Sequence, residues 1–285
     1  MTSKLPLDPP SSETIEADVT RAFAEDIRNG DATAQLIPAD AQARAALTCR
    51  ENAVMAGIDW FNACFRKLDP QVAIEWKVQD GDHVAAGDII CHLSGSARAL
   101  LSAERSALNF LQLLSGTATA TAEHVAKVAG SRTRVLDTRK TVPGLRLAQK
   151  YAVRCGGGHN HRIGLFDAIL VKENHIIAAG SIKAAVEAGR RLHPGLLLEV
   201  EVENFDELAQ AIDAGVDRIM LDNFTLADMH EAVRITAGRI PLEVSGNVDL
   251  TTIGDIAGTG VDFVSVGALT KHVRAIDLSL RLQFD

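Results

Sequence analysis

The chain has no run of 18 apolar residues, so nothing in it reads as a membrane-spanning helix. Its opening, MTSKLPLDPPSSETIEADV, lacks the apolar stretch of a signal peptide. The expected setting is therefore the cytoplasm. Cysteine is sparse: Cys49, Cys64, Cys91 and Cys155 are scattered and form no CxxC pair. They read as reduced thiols filling a core. Basic residues are the minority, 29 against 37 acidic, for a net charge of −8. That balance disfavours a general nucleic-acid surface, which rests on a basic field. No GxGxxG follows a strand-like run, so a dinucleotide site has no support. No Ser-His-Asp or Cys-His set with a nucleophile elbow is present. Catalysis, if any, is expected from positioning and electrostatics rather than a covalent nucleophile.

The 285 residues are 47% hydrophobic and 23% charged, which suits a globular enzyme with a sizeable core and excludes a disordered chain. The first part mixes element types. A helix is expected over 12–28, a strand over 44–50 and a helix over 59–67. Two strand-like runs flank QDGDHVAAGD, whose Asp80-Gly81 and Gly87-Asp88 are turn signals. That hairpin resembles the tip of biotinyl and lipoyl carrier domains. Asp80 to Asp88 contains no lysine to modify, so the hairpin is taken as structural. A further helix is expected after Ser102, with Glu104 in its first turn.

From about Arg134 the chain settles into strand-then-helix units. LLLEVEV leads to Asn204, an N-cap with Glu207 three residues on, and Phe205, Leu208 and Ile212 share a helix face. Such alternation predicts parallel strands in an α/β layer architecture. The strand ends share a pattern. Glu201, Asp222, Ser245 and Gly267 recur after 21, 23 and 22 residues. In a (β/α) barrel such ends converge on one face, which carries the active site. Asp137, Thr138, Arg139 and Lys140 end one strand and Lys172 another, so they are expected at the same mouth. By alternation Glu199, Glu201 and Glu203 point into the barrel, as do Asp222 and Glu243. Lys140 and Lys172 are the expected counter-charges, since unpaired buried carboxylates are costly. The competing reading is an edge strand with a solvated acidic face.

RCGGGHNHR (154–162) places three glycines among two arginines and two histidines. The glycines are expected to let the backbone approach an anion. Arginine pairs bidentately with carboxylates. A metal at His159-x-His161 is disfavoured, because no third ligand sits at useful spacing. SGN (Ser245 to Asn247) and VGA (Val266 to Ala268) fit the usual barrel phosphate loops. Arg105 reads as a solvated helix residue, and His83, His92 and His193 as surface.

Several long motifs then occur in order: AERSALNFLQLLSGTAT, DTRKTVPGLRLAQKYAVRCGGGHNHRIGLFDAILVKENH, EVEVEN, LDNF, EVSGNV and GVDFVSVGALT. From about Glu51 onward the chain resembles the quinolinate phosphoribosyltransferase family. The resemblance implies an incomplete (β/α) barrel over 116–271 and an N-terminal α+β domain over 1–115, joined by the C-terminal segment 272–285. It implies a homodimer or higher oligomer with shared active sites, Arg105 reaching into the partner's site. Arg139, His161, Arg162 and Lys172 would hold the two carboxylates of quinolinate. Thr138 would lie in the same pocket, and Lys140 would meet the pyrophosphate of 5-phosphoribosyl-1-pyrophosphate. Glu201 and Asp222 would bind ribose hydroxyls, directly or through Mg²⁺. Ser245, Gly246 and Asn247 with Val266, Gly267 and Ala268 would give amides to the 5-phosphate. The implied reaction yields nicotinate mononucleotide, pyrophosphate and CO₂ in NAD biosynthesis. His159 is given no role. Without the resemblance, transfer to nicotinate or another carboxylated ring is the alternative, and four cations suit a dicarboxylate better.

Overall fold

The computed structural model describes residues 7–284. In chain order come α1 (Ser12–Asp26), β1 (Gln42–Cys49), β2 (Ala53–Val54), α2 (Ile58–Leu68), β3 (Ala73–Trp76), β4 (His83–Val84), β5 (Ile89–Ser96) and α3 (Ala97–Lys127). They are followed by β6 (Arg134–Leu136), α4 (Arg146–Cys155), β7 (Ala168–Val171), α5 (Glu173–Ala179) and α6 (Ile182–Leu192). Next are β8 (Leu197–Val202), α7 (Phe205–Asp213), β9 (Arg218–Asp222), α8 (Leu226–Thr236) and β10 (Leu242–Ser245). The series closes with α9 (Ile253–Gly258), β11 (Phe263–Ser265), α10 (Ala268–Lys271) and β12 (Leu278–Phe284). Contacts divide the chain into two units. The first holds the chain up to Ala122, Thr141–Gly157 and the residues from Thr270 on; the second holds Glu123–Lys140 and Gly158–Leu269. The division is more interleaved than a single boundary at 115/116, because α4 groups with the first unit.

The first unit is an α+β layer. Its sheet runs β12-β1-β5-β3, and β12 pairs antiparallel with β1 from Ala43↔Phe284 to Cys49↔Leu278. Alternate residues Ala43, Ala45, Leu47 and Cys49 are buried, as a sheet with one covered face requires. Trp60, Phe61, Phe65, Leu111 and Leu114 are fully buried in the core of this unit. All four cysteines are buried and unpaired, as expected of core thiols. His83, His92 and His193 are exposed, also as expected.

Helix α3 departs from expectation. It begins at Ala97, so Ser102 and Glu104 lie inside it. The start is supplied locally: Ser96 Oγ accepts the Ala99 amide at 3.4 Å, and the Ala97 amide donates to Ala41 O at 2.9 Å. Ser102 instead donates its hydroxyl to Asp31 Oδ2 at 2.8 Å. A serine followed by Glu two residues on mimics a cap, but the true cap lies at the end of β5.

The second unit is a six-stranded parallel sheet in the order β6-β11-β10-β9-β8-β7. That is the cyclic order of a barrel with β6 and β7 left at the two ends. It is the expected incomplete barrel, with fewer than eight strands. Leu198, Val200 and Val202 are fully buried, and a Cβ at Gly189 would lie 2.8 Å from Leu198 Cδ1, so α6 packs closely on β8. Asn204 Oδ1 accepts the Glu207 amide at 2.9 Å and starts α7. The Glu207 carboxylate accepts from Glu203 N, one residue before the position a capping box uses. Among the described residues no helix is long and apolar enough to cross a membrane.

Candidate active site

Parallel register sets the site in the second unit. Ser245 stands opposite Asp222, and Glu199 opposite both Leu170 and Arg218. Val171 pairs with Val200, so the next residues, Lys172 and Glu201, are neighbours, and their side chains form an ion pair. Burial, and then the Glu201 charge, push the Asp222 carboxyl above its usual range; Lys172 and Lys140 oppose this. These four groups therefore share one electrostatic neighbourhood at the carboxyl ends of the strands. On its flank the stem of Lys140 lies on Gly267, where a Cβ would sit 3.1 Å from Lys140 Cδ and 3.6 Å from Thr138 Oγ1. Thr138 Oγ1 in turn accepts the Lys140 amide at 3.1 Å. Gly246 lies against Asp222, with φ +100° and room for only a tight Cβ, 3.3 Å from Asp222 Oδ1. Asn247 follows in the left-handed region at φ 49°. The loops 245–247 and 266–268 thus border the same mouth as Thr138, Lys140 and Asp222. One expected phosphate donor falls away: the Val266 amide donates to Leu136 O at 2.9 Å inside the sheet. Gly267 and Ala268 remain to fill that role.

Below the mouth lies a buried polar cluster. Glu243 is 0% exposed and Glu199 1%. Glu243 Oε2 accepts from Arg218 Nη1 at 2.9 Å, and its other oxygen accepts the Ser265 hydroxyl. The Arg218 guanidinium lies over the Phe263 ring, 4.2 Å from its centre. His161 Nε2 is 2.9 Å from Glu199 Oε2 and 3.6 Å from Glu243 Oε1. His161 Nδ1 accepts the Arg162 amide at 2.7 Å. Nδ1 is therefore the bare nitrogen and Nε2 carries the proton. Burial, and then the Glu199 charge, push the Glu243 carboxyl up to about 7; burial raises Glu199 as well. The expected lysine counter-charges hold for Glu201 and Asp222 but not for the buried pair. Lys172 serves Glu201, while Glu199 and Glu243 are met by His161 and Arg218. Arg218 begins β9 with the parity of Met220 and Asp222, so strand alternation alone could have placed it inside.

In the glycine-rich segment a Cβ at Gly156 would collide with the Ala118 carbonyl and crowd Thr121, and Gly157 turns at φ +82°. Gly156 thus serves a close approach to α3, which the local sequence pattern does not announce. Beyond the glycines the chain docks beside β6: His159 N donates to Val135 O at 2.8 Å, and Asp137 N donates to His159 O at 3.1 Å. Asp137, fully buried, accepts the His161 amide at 2.9 Å and Asn160 Nδ2 at 2.6 Å. Asp137 therefore faces away from the mouth, unlike Thr138 and Lys140. Arg162 is held by Nη1 on Ala168 O at 3.2 Å. Burial, and then the Arg139 charge, lower its pKa, against Glu199 and Asp167. Arg139 thus stands near enough to Arg162 for its charge to act there. Arg105 lies on α3 in the first unit, exposed, and lines a recess of about 230 Å³ with Glu25, Asp26 and Asn109.

A six-stranded parallel α/β unit with two lysines and two carboxylates gathered at its strand ends defines an enzyme that handles anionic, hydroxyl-bearing small molecules. The chain belongs to the quinolinate phosphoribosyl transferase family: the family's N-terminal domain matches residues 31–115 and its C-terminal domain residues 117–281. A relative from Bacillus subtilis, the probable nicotinate-nucleotide pyrophosphorylase [carboxylating], is 41% identical over 259 residues, 90% of each chain. The nicotinate-nucleotide pyrophosphorylase [carboxylating] of Mycobacterium leprae is 40% identical and covers 93% of this chain and 95% of its own. The solved nicotinate-nucleotide pyrophosphorylase of Francisella tularensis superposes with a TM-score of 0.95 at 50% identity, covering 98% of this chain and 99% of that one.

Proposed function

We propose that this chain transfers the phosphoribosyl group of 5-phosphoribosyl-1-pyrophosphate to quinolinate and decarboxylates the product to nicotinate mononucleotide, a step of NAD biosynthesis. The reading is carried by one observation: Lys140, Lys172, Glu201 and Asp222 share one mouth beside paired arginines. Arg139, Arg162 and Lys172 receive the two carboxylates of quinolinate, with His161 beneath them. The pyridine nitrogen attacks the anomeric carbon, and the bond to pyrophosphate breaks with its electrons. Lys140 meets that leaving group. Positive charge developing on the ribose is stabilised by Glu201 and Asp222, which also bind its hydroxyls. In the ribosylated pyridinium, the bond from the ring carbon to the adjacent carboxylate breaks. Its electron pair stays on that carbon beside the cationic nitrogen, CO₂ leaves, and the carbon takes up a proton. Grip on that carboxylate must loosen in the transition state, a demand of differential binding.

Mg²⁺ fits the donor set. Glu201 and Asp222 are oxygen ligands close enough that the Glu201 charge raises the proton affinity of Asp222, and Mg²⁺ commonly uses one or two carboxylates plus substrate phosphates. When bound there it would neutralise phosphate charge. The ligand-type trio His161, Glu199 and Glu243, within 4.8 Å of one another, suits it poorly. Nε2 carries a proton there, and Arg218 and Ser265 already occupy Glu243. The partners are the two small substrates and a second copy of the chain, with Arg105 given to the neighbour's site. The four buried unpaired thiols support a cytoplasmic setting.

Incubation with quinolinate, 5-phosphoribosyl-1-pyrophosphate and Mg²⁺ is expected to release nicotinate mononucleotide and CO₂ in equal amounts. Turnover of nicotinate with none of quinolinate would overturn the reading. Shared sites have their own test. Arg105→Ala and Arg139→Ala chains are each expected to be nearly inactive, and a mixture to regain activity on subunit exchange. Confirmed exchange without recovery removes the intersubunit role of Arg105.

A further inference from the structure

The cluster under the mouth is not explained by substrate contact. Glu199 and Glu243 are buried, and Glu199 Oε1 has no hydrogen-bond partner. Buried carboxylates are poor structural filler, since apolar side chains of similar volume commonly serve stability as well or better. What this pair contacts is specific. Glu199 receives the Nε2 proton of His161, with Glu243 just beyond, and Arg218 and Ser265 hold Glu243 in place. The opposite ring nitrogen takes the Arg162 amide. On either side of that peptide the chain is already pinned. Asp137 accepts the amide of His161 and Nδ2 of Asn160, and Asp167 accepts the amides of Ile163 and Gly164 at 2.7 and 2.9 Å. Backbone and Asp137 contacts tie this segment to the end of β6, and the His161 ring ties it to Glu199 and Glu243.

We propose that Glu199 and Glu243 are positioning residues: with Arg218 and Ser265 they fix the tautomer and ring plane of His161, and through its Nδ1 the backbone of Arg162, in the geometry that receives the substrate's two carboxylates. The assignment rests on the proposed phosphoribosyl transfer for its substrate, but the ring geometry stands independently of it. A carboxylate at Glu199 can only accept from His161, which forces the proton onto Nε2 and leaves Nδ1 for the Arg162 amide. A carboxamide at 199 can donate as well as accept, so the ring is released from that choice.

The test uses the full chain with Glu199→Gln and Glu243→Gln. Nitrogen-15 spectra of labelled histidines, with His161 identified by its loss in His161→Gln, are expected to show the neutral Nε2-protonated form in the unaltered protein. In Glu199→Gln a mixture of tautomers is expected. For both variants KM for quinolinate is expected to rise roughly 10- to 100-fold, the range seen when a carboxylate orienting a functional histidine is lost. KM for 5-phosphoribosyl-1-pyrophosphate, and the melting temperature at pH 5, where Glu243 is neutral in the fold, should change little. An Nδ1-protonated ring in the unaltered protein overturns the proposal, as does an unchanged quinolinate KM. A parallel fall in both substrates' affinities and in melting temperature would reduce the cluster to a structural role. Should a variant fail to fold, Ser265→Ala, which removes one hydrogen bond to Glu243, is read the same way. If the unaltered protein does not use quinolinate at all, the functional reading fails while the ring spectrum still decides the positioning.

Discussion

Arg218→Ala is expected to destabilise the chain by an amount that grows with pH, small near pH 6 and about 3 kcal/mol or more at pH 9. The Glu243 carboxyl sits at about 7 in the fold against an ordinary 4.5. A group raised in this way supports the fold fully below its unfolded value. That support is lost as pH climbs through the folded value, up to about 1.4 kcal/mol per unit of the difference. Without Arg218 Nη1, 2.9 Å away in the native chain, the carboxyl moves higher still and keeps its proton. At pH 6 both proteins hold Glu243 largely neutral, so mainly the guanidinium's packing on Phe263 is lost. At pH 9 the native protein carries the charge with Arg218 as partner. The variant must either keep its proton well above the native range or bury an unpaired charge, which typically costs about 3–5 kcal/mol. Urea unfolding at pH 6, 7.5 and 9, at one fixed protein concentration, reads the difference directly. A gap that stays constant across the three would mean that Arg218 contributes only packing and that Glu243 is not its dependent. Glu243→Gln supplies the converse: it should flatten the native decline in stability between pH 5 and 8.

That cluster also shows where the sequence was legible and where it was not. Strand parity read Glu199 and Glu243 as inward, and both are buried. Spacing put Lys172, Glu201 and Asp222 at strand ends, and parallel register makes the first two neighbours. Those inferences need only a period of two and a repeat of strand and helix. Lys172 does meet Glu201, but the counter-charges of Glu199 and Glu243 escape a sequence reading, because partner choice depends on which strands lie side by side. β6 and β7 follow one another in the chain but end the sheet at opposite sides. Asp137 was grouped with Thr138 and Lys140 on proximity in sequence, yet alternation turns it the other way, onto His161 and Asn160. Gly156 answers to a helix more than thirty residues earlier in the chain, which no local pattern announces. The start of α3 was missed for a related reason. Its cap, Ser96, is the last residue of a strand, so the period changes without an intervening loop.

Arg162→Ala is expected to give the largest loss of activity, and to do so selectively for the dicarboxylate. The side chain is half-buried and bonded to Ala168 O, and burial, then the nearby Arg139 charge, lower its pKa. A second cation near Arg162 suits a substrate with two carboxylates. Removing Arg162 leaves a substrate carboxylate unpaired in a partly desolvated pocket, about 2–5 kcal/mol, or roughly a 30- to 5,000-fold fall in kcat/KM for quinolinate. Arg162→Lys should recover little of this, since an ammonium lacks the planar fork that grips a carboxylate through two parallel bonds. Nicotinate has one carboxylate fewer and should bind the variant and the native protein with more nearly equal affinity. The ratio of quinolinate to nicotinate affinity, measured by competition against 5-phosphoribosyl-1-pyrophosphate turnover, is therefore expected to shrink by most of the factor lost on quinolinate. An equal fall for both ligands would show that Arg162 supports the fold of the mouth without reading the second carboxylate. In that case Lys172 and Arg139 would have to distinguish the two acids on their own.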